Sequence, residues 1–205
     1  MKKEVPPEKE KVLKAAASLF AEKGYAGATV RDIAERINVS VAMLYYYFKS
    51  KEEVIFSISE MNGDSLLRIL DDAIRDNSDP LGRLRQMMFV YICSIPANKN
   101  EVKIFVEQHG NLSRKYKNKI VKRHRKIYDI YMGELRQLKN LALIRFDDLS
   151  VVVFAMFGMV NWTYRWYREG DKKPIEGVAR ILIDLFFHGI LTDAGLALYS
   201  KLDPI

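Results

Sequence analysis

The chain has 205 residues, 49% hydrophobic and 29% charged, which is typical of one or two folded domains and excludes a disordered chain. Its formal net charge of +7 favours anionic partners, and its single cysteine excludes a disulfide framework and a cysteine-rich zinc site. The first residues lack the apolar run of a signal peptide, and the most apolar stretch, 151–160, is shorter than the roughly 20 residues of a membrane span. We therefore expect a cytoplasmic protein with no membrane partner.

The first two predicted helices follow from apolar spacing and capping residues. Apolar side chains recur at helical spacing over 12–20, and Gly24 follows where a left-handed cap belongs. Thr29 opens a second helix, with Asp32 three residues later as in a capping box. Asn38 is a plausible end for that helix.

Two further helices open on serine caps. Ser40 precedes a third helix over about 41–49. Ser50, with Glu53 three residues later, opens a fourth helix that runs to about Asn77.

The rest of the chain also has helical spacing, and no alternating strand pattern competes with it. The further helices are predicted over about 81–95, 101–109, 113–138, 147–168 and 174–192. The fold class expected is all-α, with a small three-helix head that contains a helix-turn-helix and a larger helical body.

The third helix has one apolar stripe and a run of three consecutive tyrosines. Leu44 and Phe48 lie four residues apart and therefore share a face. The three consecutive tyrosines at 45–47 span about 200° of a helix, so they cannot all point into one core. We expect Tyr45 and Tyr46 to leave the stripe that Leu44 and Phe48 define.

Exposed phenols and small residues at the start of this helix favour DNA as the partner. In a helix-turn-helix the first residues of the second helix meet base edges, and residues 40–43 are small or apolar, which favours methyl and shape contacts. Tyrosine hydroxyls, together with Lys49 and Lys51, suit backbone phosphates. The alternative is a three-helix packing motif whose aromatic residues only fill a core.

The segment TVRDIAERINVSVAMLYYYFKSKEEV, residues 29–54, resembles the DNA-binding head of the TetR (tetracycline repressor) family of regulators, as does AAASLFAEKGYAGATV before it. The resemblance implies a homodimer that binds an operator in double-stranded DNA, represses transcription and dissociates when a small molecule binds the body. By position it implies phosphate contacts from Thr29, Tyr45 and Tyr47, and groove contacts from Val41, Ala42 and Tyr46. Position 41 is often polar or basic in this family, and valine here puts base-specific hydrogen bonding at that site in doubt.

These arguments give a predicted division of the chain and a predicted set of DNA contacts. Residues 1–54 are expected to form the DNA-binding domain, and residues 55–205 the ligand-binding and dimerisation domain. The predicted DNA-binding residues are Thr29, Arg31, Ser40, Val41, Ala42, Met43, Tyr45, Tyr46, Tyr47, Lys49 and Lys51.

A strongly basic segment, SRKYKNKIVKRHRK, occupies residues 113–126 and holds eight cations and no acid. Lys115, Lys119, Lys122 and Lys126 would share one helix face, which would suit the phosphates of a ligand. The alternative is a solvated face that at most attracts DNA at long range. The sequence leaves both interpretations open.

Aromatic and methionine side chains in the middle helices favour an adaptable apolar cavity. Within FAMFGMVNWTYRWY, residues 154–167, Asn161 and Tyr164 need polar partners and could orient a ligand head group. The predicted ligand-binding residues are Met88, Tyr91, Phe105, Lys115, Lys119, Lys122, Arg123, Tyr128, Phe157, Asn161 and Tyr164.

The segment from Gly158 to Ile190 resembles the C-terminal part of TetR-type regulators of fatty-acid or sterol breakdown, many of which sense acyl-CoA. The resemblance implies a small apolar effector, and a fatty acyl-CoA is the best candidate. The alternative is a regulator of efflux or stress genes that senses drugs or other hydrophobic compounds. It also implies a dimer built from the last two large helices. The predicted interface residues are Phe154, Trp162, Ile181, Leu185 and His188.

Two other classes of function compete with a regulator. An enzyme would need a phosphate loop, clustered metal ligands or a nucleophile with a base, and the sequence has none; His109, His124 and His188 are isolated. We therefore expect no enzyme activity, no cofactor and no metal. A helical interaction protein that does not bind DNA is the other class.

Overall fold

The protein is all-helical in a computed structural model that describes residues 7–75, 79–107, 112–203 and 205. Within those residues a short 3-10 helix spans Pro96–Asn98. The α-helices are α1 (Pro7–Gly27), α2 (Val30–Arg36), α3 (Val41–Tyr47), α4 (Lys51–Arg75), α5 (Pro80–Ser94), α6 (Lys99–Glu107), α7 (Arg114–Asn140), α8 (Leu149–Trp166), α9 (Ile175–Ile190) and α10 (Asp193–Tyr199).

The predicted helices are confirmed, with ends that differ by a few residues. Asp148 is the N-cap of α8, so this helix starts after the predicted Asp147. The helix α10 was not predicted, because seven residues are too few to show apolar spacing; Thr192, expected near a helix end, caps it instead. The predicted ends at Asn77 and His109 lie outside the described residues.

The described chain forms two compact units. Unit 1 contains residues 1–64 and 98–123, and unit 2 contains 65–97 and 124–205. The predicted head is therefore part of a larger unit that also includes α6 and the first turns of α7. The functional boundary after residue 54, with DNA binding before it and ligand binding and dimerisation after it, stays a prediction.

Unit 1 is organised around one apolar core. α1 packs on α2 and α6, and α2 packs on α3. The core includes Leu13, Ile33, Leu44 and Phe48, each at most 3% exposed. Ile104 of α6 also belongs to it. The head is thus completed by a helix that lies far from it in sequence.

Unit 2 packs α5 on α8 and α9. Its interior includes Tyr131 and Phe187, both fully buried. A buried ion pair joins Arg83 Nε to the Glu134 carboxylate at 3.0 Å. α10 packs on α9, where the Tyr199 ring stacks on Phe187 at 4.9 Å.

Among the described residues, every helix is too short or too polar to cross a membrane.

Candidate DNA-binding surface and effector region

Two capped turns set the position of the recognition helix α3. The Thr29 hydroxyl accepts a hydrogen bond from the Asp32 N–H at 3.1 Å, and the Asp32 carboxylate accepts one from the Thr29 N–H at 2.7 Å. This reciprocal capping box begins α2. Asn38 then takes a left-handed conformation, with φ of 55°, and Ser40 caps α3 through the Met43 N–H. Because hydrogen bonds within each turn fix its conformation, the direction of α3 relative to α2 is fixed as well.

The faces of α3 are divided as the sequence predicts. Leu44 and Phe48 are 3% exposed, whereas Tyr46 is 84% and Tyr45 55% exposed. Tyr47 is partly buried against the core, and its ring lies edge-on to Tyr46 with centroids 5.2 Å apart. Two phenols therefore project from the head while the third supports them.

The other predicted DNA-binding residues differ in exposure and in the hydrogen bonds that their side chains already form. Arg31, Ala42 and Lys49 are exposed. Val41 is partly buried against the head core. Met43 has intermediate exposure. The hydroxyls of Thr29 and Ser40, described above, serve as helix caps, so their contacts with DNA stay predictions.

The structure places the Lys51 ammonium inside the head. It donates to the backbone oxygens of Tyr25 and Ala28, the second at 2.8 Å, and lies 4.2 Å from the centre of the Tyr25 ring. Tyr25 lies in the last turn of α1 and Ala28 follows the helix, so Lys51 ties the start of α4 to the α1–α2 turn. A phosphate contact by Lys51 stays a prediction, while its role in holding the head together was not foreseen.

Two exposed ion pairs join α1 to α2. Arg36 contacts the Glu22 carboxylate at 2.6 Å, and this hydrogen-bonded guanidinium, with the Ser18 hydroxyl, lowers the pKa of Glu22 to about 2. Lys23 contacts Asp32 at 2.7 Å; this ammonium, and then Thr29, lower the pKa of Asp32. The helix-turn-helix is thereby tied to α1 by charges that the sequence analysis did not identify.

Within unit 1 the first half of α7 lies along the first half of α4. The Ser113 N–H donates to the Glu52 carboxylate, and the rings of Phe56 and Tyr116 lie 4.5 Å apart. Further along, Arg123 pairs with the Asp64 carboxylate. Both helices therefore run in the same direction with their amino-terminal ends together.

Several of the predicted ligand residues belong to this unit. Lys115, Lys119 and Lys122 are exposed, and the Lys119 ammonium lies 5.1 Å from the Phe56 ring centre. Arg123 is partly buried and already engaged by Asp64. Phe105 is 6% exposed.

The remaining predicted ligand residues belong to unit 2, where two of them meet. The Tyr91 hydroxyl donates to Asn161 Oδ1 at 2.5 Å, and burial raises the pKa of Tyr91. Met88 is fully buried on the same helix as Tyr91. The contact between this phenol and this amide was not predicted, and the role of both residues in ligand binding stays a prediction.

The other aromatic residues of that set have separate partners. Phe157 lies edge-on to Tyr131 with centroids 5.4 Å apart. The Tyr128 hydroxyl donates to Ser150 Oγ at 3.0 Å, and the buried Tyr164 hydroxyl accepts from Arg165 Nε at 3.3 Å. Their ligand contacts stay predictions.

Unit 2 also has an exposed apolar face on α8 and α9. Phe154, Trp162, Ile181 and Leu185 are between 46% and 65% exposed. His188 is exposed on the same helix as Leu185. Large apolar side chains that are exposed on neighbouring helices favour an interaction surface.

An open groove of about 470 Å³ lies on this face, lined by residues of α8 and α9 that include Val151, Ala155 and Leu185 and bordered by Asp147 and Asp148. None of the predicted ligand-binding residues lines it. Of the predicted interface residues, Leu185 lines it.

Two family descriptions match the chain. Residues 12–58 match the bacterial regulatory proteins of the tetR family. Residues 77–190, more than half of the chain, match the tetracyclin repressor-like C-terminal domain. The first match covers the helix-turn-helix and the second covers most of unit 2.

Relatives and solved structures agree with these matches. The HTH-type transcriptional repressor KstR2 of Mycobacterium tuberculosis is 26% identical over 182 residues, which are 87% of this chain and 90% of the relative. Its structure, described as a ketosteroid transcriptional regulator, has a TM-score of 0.83 and covers 93% of this chain and 98% of that one.

Two more structures are similar over most of the chain. The TetR family regulator PfmR of Thermus thermophilus has 29% identity and a TM-score of 0.79, covering 86% of this chain and 97% of that one. AibR in complex with isovaleryl coenzyme A and operator DNA has 27% identity and a TM-score of 0.80, covering 87% and 97%. The chain belongs to the TetR family of bacterial transcriptional regulators, which bind DNA through a helix-turn-helix.

Proposed function

We propose that this protein is a transcriptional repressor that binds a palindromic operator as a homodimer and is released by a small apolar effector. The observation that carries the proposal is the pair of exposed tyrosines, Tyr45 and Tyr46, on a recognition helix held by two capped turns. Two such helices, set about 34–36 Å apart, would enter successive major grooves. The exposed apolar face of α8 and α9 supports the dimer.

Release requires that the effector prefer one conformation of the dimer. An effector that binds both conformations equally shifts nothing, however tightly it binds. The helix α4 passes from unit 1 into unit 2, so a change in the body has a continuous helix through which to reach the head.

The best candidate effector is a fatty acyl-CoA. The structural relative AibR was solved with isovaleryl coenzyme A and operator DNA. The pair of the buried Tyr91 and the partly buried Asn161 offers a phenol and an amide that could hydrogen-bond a thioester carbonyl among apolar neighbours.

A second candidate is a regulator of efflux or stress genes that senses drugs or other hydrophobic compounds. The fully buried Met87 and Met88 favour it, because methionine adapts to ligands of different shapes. A helical interaction protein without DNA binding is the remaining class, and salt-dependent binding to a palindromic duplex would exclude it.

The test combines native mass spectrometry with a gel-shift assay. An operator duplex is first recovered by the wild-type protein from a random-sequence pool. Acyl-CoAs with short, medium and long chains are then added to the protein and to its complex with the duplex. We expect one chain-length range to bind the dimer and to release the DNA.

The matched variant is Asn161→Leu, which removes the amide and keeps the volume of the side chain. It should bind the operator like the wild type and respond more weakly to acyl-CoA. If no acyl-CoA binds or releases the duplex, while a hydrophobic drug does, the second candidate is correct. If no duplex is recovered from the pool, the DNA-binding proposal itself is wrong.

A further inference from the structure

The net charge of the chain is concentrated in one segment of unit 1. Residues 1–64 contain ten Lys and Arg and ten Asp and Glu, and so have no net charge. Residues 98–123 contain eight basic and two acidic residues, a surplus of six out of the +7 of the whole chain. The positive charge of the unit that contains the helix-turn-helix therefore comes from α6 and α7.

Most of this charge is available to an external partner. Arg114, Lys115, Lys119 and Lys122 are exposed, and Lys117 has intermediate exposure. Within the part of the chain that the structure describes, none of these five side chains forms an ion pair, although Lys115 and Lys119 lie near aromatic rings. Arg123, by contrast, is held by the carboxylates of α4 and is not counted among them.

The contacts between α4 and α7 place the first of these cations at a defined end of the unit. Glu52 in the first turn of α4 accepts the Ser113 N–H, immediately before α7 begins. Phe56 then meets Tyr116, one turn further along each helix. Arg114, Lys115 and Lys117 therefore stand beside the start of α4, where the chain leaves the recognition helix.

We infer that Arg114, Lys115 and Lys117, the first-turn cations of α7, bind backbone phosphates of the operator. This rests on the proposed function, because it adds a second DNA contact to the helix-turn-helix. The physical reason is charge balance. Affinity for DNA depends largely on neutralised phosphates, and residues 1–64 supply no net positive charge for this. The contact is sequence-independent, so it adds affinity and leaves specificity to α3.

The position of these cations is unfavourable for the helix itself. The amino-terminal end of a helix carries partial positive charge, which favours acids in the first turn. α7 has none there, as is also true of α3, α5 and α8, whereas the other six α-helices of the described residues have at least one. Removing the three charges is therefore not expected to destabilise the protein, so the DNA contact can be tested on a folded variant.

The experiment compares two variants that lose the same charge. The first is the triple variant Arg114→Gln, Lys115→Gln and Lys117→Gln. The control is Lys122→Gln, Arg125→Gln and Lys126→Gln, whose positions lie roughly 12–15 Å further along α7. That distance exceeds the Debye length of about 10 Å at 0.1 M salt, so the control charges should act on the DNA only weakly.

The measurement is the salt dependence of binding to the operator recovered from the random pool. Each phosphate contact contributes about 0.9 to the slope of log K against log salt. The first-turn variant should therefore have a slope smaller by about 5 for a dimer, and the control by less than about 1. Equal slopes for both variants, or no change in either, would overturn the inference.

A second measurement locates the contact. Single methylphosphonate linkages, which remove one phosphate charge, are placed through the operator and its flanks. At the phosphates that these cations contact, a methylphosphonate linkage should weaken binding by the wild type and leave binding by the first-turn variant unchanged. If the two proteins have the same sensitivity at every position, the cations do not contact the backbone.

The outcome also separates this inference from the proposed function. If the wild type recovers no duplex, both are wrong. If the wild type binds and the first-turn variant binds with an unchanged slope, only the contact by α7 is wrong. If that variant keeps the wild-type slope but no longer responds to the acyl-CoA that releases the wild type, these cations serve the phosphates of the coenzyme instead.

Discussion

At the scale of single residues, the three neighbouring tyrosines of α3, Tyr45, Tyr46 and Tyr47, lie in different environments. Tyr46 is 84% and Tyr45 55% exposed, while Tyr47 rests partly on the head core. An aromatic residue that is exposed on a short, well-capped helix contributes little to stability. Tyr46 is therefore the residue at which DNA binding and folding can be separated most clearly.

We predict that Tyr46→Ala weakens operator binding roughly 10- to 100-fold, because it removes both the ring and a hydroxyl that can bind a phosphate or base. The free energy of unfolding should change by no more than about 0.5 kcal/mol. Fluorescence anisotropy with the operator and urea unfolding measure the two effects. Tyr46→Phe shows how much the hydroxyl contributes, and Leu44→Ala, at a buried position, should destabilise by about 2–5 kcal/mol. Unchanged affinity in Tyr46→Ala would remove this tyrosine from the DNA interface.

At the scale of elements, α2 and α3 have only seven residues each and would not be stable in isolation. Their caps, the buried stripe of α3 and the ion pairs to α1 hold them in place. The Glu22 carboxylate is the clearest case, because its bond to Arg36 lowers the pKa to about 2. A lowered pKa in the folded state means that the unfolded chain binds the proton more tightly.

We predict that the head loses stability as the pH falls from about 4.5 towards about 2, the interval between the ordinary and the folded pKa of Glu22. Glu22→Gln should be less stable than the wild type at neutral pH, and the difference should shrink in that interval. Urea midpoints at neutral pH and within that interval measure it. Glu35→Gln, which changes an exposed acid of α2, is the control and should behave like the wild type. A constant difference between Glu22→Gln and the wild type would show that the ion pair is not responsible.

Helix α10 illustrates an element that depends on its neighbours. Thr192 caps it, and Gly195 lies so close to the turn after α7 that a Cβ would come within 2.7 Å of the Leu143 backbone oxygen. Sequence patterns of seven residues do not reveal such an approach. By contrast, long helices such as α7 and α9 were predicted with small errors at their ends, because their apolar stripes repeat over several turns.

At the scale of the whole molecule, dimerisation sets the spacing of the two heads. The exposed apolar residues on α8 and α9 are the surface expected to be buried by a second copy. Two linked half-site contacts bind far more tightly than one, so loss of the dimer should weaken operator binding as well.

We predict that Leu185→Lys yields a monomer, since it places a charge on the apolar face where the side chain is 63% exposed. Operator affinity should fall with it, while helicity is retained. Size-exclusion chromatography with light scattering measures the mass. Leu141→Lys, at a side chain that is 58% exposed but outside the predicted interface, is the matched control. A dimeric Leu185→Lys protein would place the interface elsewhere.

Three features of this protein could be predicted from the order of its residues: the helical fold class, the capping box at Thr29 and Asp32, and the division of faces on α3. These depend on neighbours within about one helical turn, so local order is enough to predict them. The basic segment from residue 113 onwards could not be resolved in this way, and it kept two open interpretations.

Packing in three dimensions was needed to show that the start of α7 belongs with the head, that Arg123 and Lys51 are engaged inside unit 1, and that Tyr91 meets Asn161. Each of these depends on residues that are between 23 and 70 positions apart in the chain, as in the bonds from Lys51 to Ala28 and from Tyr91 to Asn161. A charge pattern shows that cations are present, but packing determines which of them remain free and which surface they share. The sequence therefore leaves the role of the basic helix open, whereas the packing of that helix supports a proposed second contact with DNA.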